Sequence, residues 1–95
     1  MGFPKRNHDP DAYLDYPMDW SDWLPEDDTL ATLDVIAADG VEWEAPSITS
    51  DGTVCYAWLS LVDPVFNKEY KVTYRIMTAM GRRDDRSFLL KCVER

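Results

Sequence analysis

Apolar and polar residues alternate with a period of two in several short stretches, and nowhere along the chain do they recur at the 3.6-residue spacing of an amphipathic helix. The clearest case is Tyr70, Val72, Tyr74 and Ile76, which alternate with Lys71, Thr73 and Arg75 and predict a half-buried strand. Phe88, Leu90 and Cys92 alternate in the same way with Ser87, Leu89 and Lys91. From Thr53 to Leu61, Cys55, Ala57, Leu59 and Leu61 fall on one face and Val54, Tyr56 and Trp58 on the other. Leu30 to Ala37 is apolar enough to predict a strand covered on both faces. Leu14, Tyr16 and Met18 alternate with Asp15, Pro17 and Asp19; the proline, which cannot donate to a ladder, predicts an edge position. Val41–Trp43 and Ser47–Thr49 read as two shorter strands.

The breaks between these runs carry turn chemistry. Asp39-Gly40 and Ser50-Asp51-Gly52 supply glycines for positive φ, and the second is the strongest hairpin signal in the chain. Residues 63–68 and 81–85 read as loops. Ser21 to Leu24 reads as one helical turn capped by Ser21, with Trp20, Trp23 and Leu24 turned inward. Six or seven short strands at this spacing, joined by hairpin-like connections, predict an all-β fold, an immunoglobulin-like antiparallel β-sandwich over residues 13–95. Residues 1–12 read as an extended N-terminal arm, in which Phe3 is the one large group to bury. Burying one phenylalanine gains roughly 1.5–3 kcal/mol, against about 1–2 kcal/mol of backbone entropy for each residue ordered. The arm, out to residue 13, is therefore expected to lie on a neighbouring subunit rather than on its own domain.

Charge is distributed unevenly. Net charge is −8 over 95 residues. Residues 1–6 contribute +2, residues 7–67 carry fourteen carboxylates and no lysine or arginine, and residues 68–95 contribute +4. Phosphate binding needs a basic face, so nucleic acid is an unsuitable partner. The acidic and basic segments either pair as neighbouring strands, or give one molecule with two faces of opposite sign, suited to heterologous contacts around a ring. No stretch approaches the ~20 apolar residues of a membrane span. The start of the chain is positive but lacks an apolar core for a secretory signal, which predicts synthesis in a cytoplasm.

Candidate chemistry is sparse. His8 is the lone histidine and falls in the arm, so no Ser-His-Asp or Cys-His arrangement can be built on a rigid scaffold. The carboxylates at Asp9, Asp11, Asp15, Asp19 and Asp22, and at Glu26, Asp27 and Asp28, lack the loop spacing of a calcium site and read as a solvated face. Cys55 and Cys92 lie on predicted inward faces; in a reducing compartment they read as buried thiols, with a disulfide joining the two sheets as the alternative. No catalytic, cofactor-binding or metal-ligating set emerges. The aromatics, four tryptophans and five tyrosines among them, exceed what so small a core can hold, and surface tryptophan and tyrosine are favoured binding anchors. Phe3, Tyr13 and Trp43, on the arm or near turns, are the expected exposed ones. With Lys5 and Arg6 beside Phe3, they form the candidate protein-binding set.

Three blocks together resemble a known family. Lys5 and then Asp9-Pro10-Asp11-Ala12-Tyr13-Leu14-Asp15-Tyr16 lead into Asp19-Trp20-Ser21-Asp22-Trp23-Leu24, and Asp28-Thr29-Leu30 follows. The end runs Tyr70-Lys71-Val72-Thr73-Tyr74-Arg75-Ile76-Met77-Thr78, then Gly81-Arg82, Asp85-Arg86-Ser87-Phe88 and Val93-Glu94-Arg95. In order and spacing the chain resembles the fiber–tail adaptors of tailed bacteriophages, small virion proteins with an immunoglobulin-like fold. Residues 39–67 depart from that pattern in being more charged and aromatic. The resemblance implies a virion protein of the tail or neck, made in the host cytoplasm. It would seat a fiber by contact with other phage structural proteins, in a homo-oligomeric ring, with no enzymatic activity, cofactor or small-molecule substrate. A capsid cement protein and a non-viral immunoglobulin-like binding module are the two alternatives.

Overall fold

The computed structural model describes residues 5–8 and 12–93. Seven strands form two sheets: β1 (Lys5–His8), β2 (Leu14–Asp19), β3 (Leu30–Ala37), β4 (Val41–Ile48), β5 (Val54–Leu61), β6 (Glu69–Thr78) and β7 (Arg83–Cys92). The first sheet has the order β1-β7-β6-β3 and the second β2-β5-β4. They stack as a flat sandwich measuring 43 × 29 × 21 Å. All pairings are antiparallel except that of β1 with β7, which is parallel.

The period-two runs become the two inner faces. Cys55, Ala57, Leu59 and Leu61 of β5 meet Tyr70, Val72, Tyr74 and Ile76 of β6 and Phe88, Leu90 and Cys92 of β7 in one core. Tyr74 ties the sheets together: its hydroxyl donates to the carbonyl of Tyr16 at 2.8 Å and accepts from the N–H of Ala57 at 3.2 Å. It thereby satisfies backbone on β2 and on β5 from a side chain of β6, and burial pushes its phenol well above its ordinary pKa. Trp20 is fully buried, with its indole N–H on the Cys55 sulfur at 3.3 Å, Trp23 against its edge and the Arg86 guanidinium over its face at 4.1 Å. The two thiols stay separate and buried; for Cys55, burial raises the pKa.

Four local expectations are corrected. The turn after β2 is capped by Asp19 rather than Ser21: its carboxylate accepts from the Ser21 N–H at 2.8 Å. Only one face of β3 is covered, because a sandwich of two sheets buries only the inner face of each; Leu30 and Val35 are buried while Thr32, Asp34 and Ile36 face outward and are exposed. Residues 41–48 form one strand instead of two. The ladder with β5 slips between Glu44 and Ser47, where Ala45 takes a φ of 50° ahead of Pro46, and resumes beyond that bulge. Lys5–His8, expected on a neighbouring subunit, pair with Leu89–Cys92 of their own chain. The reason is His8. Its ring is fully buried, with Nδ1 on the Tyr16 hydroxyl and Nε2–H donating to the Ala12 carbonyl at 3.0 Å. Phe3 lies outside the described residues.

Candidate docking surfaces

Strand alternation sorts the outward side chains onto two broad faces, and the charge sorts with them. The strands of the second sheet contain Asp15, Asp19, Glu42 and Glu44 and no lysine or arginine. Those of the first contain seven cations; Arg6 and Arg86 stand level with the buried Leu90 and Tyr74, which leaves Lys5, Lys71, Arg75, Arg83 and Lys91 on the outer face against Asp34, Glu69 and Asp85. Only one pairing joins a strand from the acidic half of the sequence to a long basic-half strand, β3 with β6, where Asp34 sits opposite Arg75. Of the two arrangements open to the sequence, the molecule with two faces of opposite sign is the one formed.

The acidic face has an aromatic centre. Tyr13 stacks on Trp58 with ring centroids 5.2 Å apart and donates to Glu44 Oε2 at 3.3 Å. Partial desolvation of the ring and the neighbouring Glu44 carboxylate both raise the Tyr13 pKa. Across the ladder, Asp15, Trp58 and Glu44 stand in one row and Pro17, Tyr56 and Ser47 in the next. Tyr13 remains 48% exposed. Aromatic rings ringed by carboxylates present an apolar anchor with a polar rim, which is the make-up of a protein-binding hot spot.

A second feature lies at the end where β5 hands over to β6. Leu14, Leu59 and Trp43 form one row on the core side of the second sheet. The middle residue is fully buried, but its flanks sit on edge strands and stay open, Leu14 at 41% and Trp43 at 43%. The following loop adds Val62, Val65 and Phe66, all exposed. Among the described residues, six of the eight large exposed apolar side chains thus collect at or near one end, counting Tyr13. Trp43 and Tyr13 are legible in the sequence as aromatics near turns; Val65 and Phe66 are not singled out by it, although a Val-Phe pair in a polar loop is the signal that marks them.

The basic arm residues are differently employed. Lys5 pairs with Glu69 of its own chain at 2.8 Å, and the exposed Arg6 side chain lines a cleft of about 1070 Å³ that runs from β2 past β7 to Lys71 and Thr73 of β6 and Ile36 of β3. Arg86, also in that cleft, is committed to the Trp20 face and to the Asp19 carbonyl at 3.4 Å. Asp28 is likewise structural. Despite the opposing cost of its burial, hydrogen bonds from Thr78, Arg82 and the Met80 and Thr29 N–H groups hold its carboxyl below the ordinary range. Among the described residues, no group of three His, Cys, Asp or Glu side chains is placed to hold a metal ion.

Two broad faces of opposite charge and an apolar end are surfaces suited to contact with other proteins. Residues 8–91 match the family model of the podophage GP4 fiber-tail adaptor protein gp77. The match spans all but the two ends, and the chain belongs to this family of structural phage adaptors. No curated protein matches it.

Proposed function

We propose that the protein is a non-enzymatic adaptor in the virion of a podophage, made in the host cytoplasm. Copies of it form a homo-oligomeric ring at the tail or neck, and the ring seats a fiber. The concentration of exposed apolar side chains at one end carries the docking part of this reading. Monomeric proteins rarely leave a contiguous apolar patch uncovered unless something binds it. Trp43, Val65 and Phe66 on that end are the residues proposed to meet the other virion protein. The opposed charge of the two sheets supports the ring, because faces of opposite sign on opposite sides favour head-to-tail contact. Arg6 adds an exposed cation lining the cleft.

The test is incorporation. A Trp43→Ala, Phe66→Ala double variant should keep the native circular dichroism spectrum yet be missing from purified particles when it replaces the natural copy. If particles take it up at the normal level, the end is not the docking surface.

A further inference from the structure

We infer that the acidic outer face of the second sheet packs on the basic outer face of the first sheet of the next copy, with the Tyr13–Trp58 stack as its anchor. The inference rests on the ring reading and names the two surfaces that would form it.

The occupant follows from charge. Asp15 and Glu42 on one face, and Arg83 and Lys91 on the other, have no ion pair among the described residues. A second copy supplies both missing signs at once. The two faces lie on opposite sides of a body 21 Å thick. Two copies meeting like face to like face would bring carboxylates against carboxylates, or cations against cations, so the symmetric dimer is disfavoured. Each copy instead offers one face forward and the complementary one back, which propagates and closes where the rotation between copies allows.

Shape agrees with charge. The outer face of the first sheet carries a hollow of about 260 Å³ bounded by Ile36, Ala37, Ala38, Lys71 and Thr73. Ile36 is 46% exposed there and gives the hollow an apolar wall. The half-exposed Tyr13 ring, stacked on Trp58, is an aromatic surface for that apolar wall to cover, and such rings bury about 150–250 Å² each. Each face extends over as much as 43 × 29 Å, enough for the roughly 800 Å² per partner that a standard interface covers.

Two charge-reversed variants test this by sedimentation at low salt and at about 0.5 M salt, where screening cuts the reach of surface charges. One reverses the acidic face, Glu42→Lys with Glu44→Lys; the other reverses the basic face, Arg83→Glu with Lys91→Glu. The unaltered protein should sediment as an oligomer that weakens with salt. Each variant alone should be monomeric, and an equimolar mixture should assemble again, since every contact in it joins opposite signs. Should a reversed variant fail to fold, Glu42→Gln with Glu44→Gln keeps the test open, with association expected to weaken about tenfold or more. An unaltered protein that stays monomeric at every concentration overturns the ring reading, and this inference with it. An oligomer indifferent to both reversals leaves the ring standing and overturns the pairing of faces. A mixture that fails to reassemble also counts against it.

Discussion

Single side chains here bridge elements far apart in the chain, and their loss should be felt out of proportion to their size. Tyr74 is the clearest. Its hydroxyl satisfies one backbone acceptor on β2 and one donor on β5, so Tyr74→Phe leaves buried polar groups without that partner while changing volume little. Each such group costs about 1–3 kcal/mol, and the urea midpoint should drop accordingly with the m-value unchanged. An unaltered midpoint would show that the ladder between β2 and β5 closes over the gap. Gly52 is constrained differently. With φ at +74°, an added Cβ would stand 2.6 Å from the Cβ of Thr29, where no rotamer change can relieve it. Gly52→Ala should destabilise by at least the roughly 1–2 kcal/mol that a left-handed conformation costs an L-residue, read as a lower thermal midpoint.

At the scale of elements, β5, β6 and β7 are legible in the sequence because each has one buried face, and burial of one face is what writes a period of two. β4 is legible only in two pieces, since Ala45 and Pro46 interrupt the alternation at the bulge. β1 is not legible at all: Lys-Arg-Asn-His contains no apolar residue, and its anchor is a histidine held by hydrogen bonds. Aromatic excess likewise identifies Tyr13 and Trp43 as candidates, whereas the Tyr13–Trp58–Glu44 arrangement depends on a β4–β5–β2 register that no local pattern encodes. The new place of β1 carries its own prediction. His8 stands opposite Cys92 and covers that end of β7. Deleting residues 1–8 should make Cys92 react quickly with a thiol reagent while Cys55, sealed beneath Trp20, stays slow. Equal protection of both would mean that β1 contributes nothing to covering the sheet.

For the whole molecule, the carboxylates of Asp19, Asp28 and Asp51 are all held below their ordinary pKa, Asp19 and Asp51 mainly by local hydrogen bonds and Asp28 by hydrogen bonds that outweigh its burial. A depressed carboxyl stabilises the fold above its unfolded pKa, and that contribution disappears as pH falls through the folded value. Stability should therefore be flat near neutrality and fall once pH drops below about 4, with Asp28→Asn less stable at pH 7 but less sensitive to acid. A slope unchanged by that substitution would place the acid sensitivity at other carboxylates. Net charge says little about this molecule; its separation by sheet matters, and that follows from a topology placing β3 beside β6 and β2 and β4 around β5.

The parallel pairing of β1 with β7 has a mechanical consequence. Because β1 runs in the same direction as β7, from Lys5 beside Leu89 to His8 beside Cys92, the start of the first strand and the end of the last one point in opposite directions along a shared axis. Tension applied between residue 5 and residue 93 therefore acts along the strands and loads their cross-links together, in shear. A hairpin pulled at its open end would instead yield one link at a time. In a fiber-tail adaptor, the joint between the first and last described strands is thus arranged to resist being drawn apart.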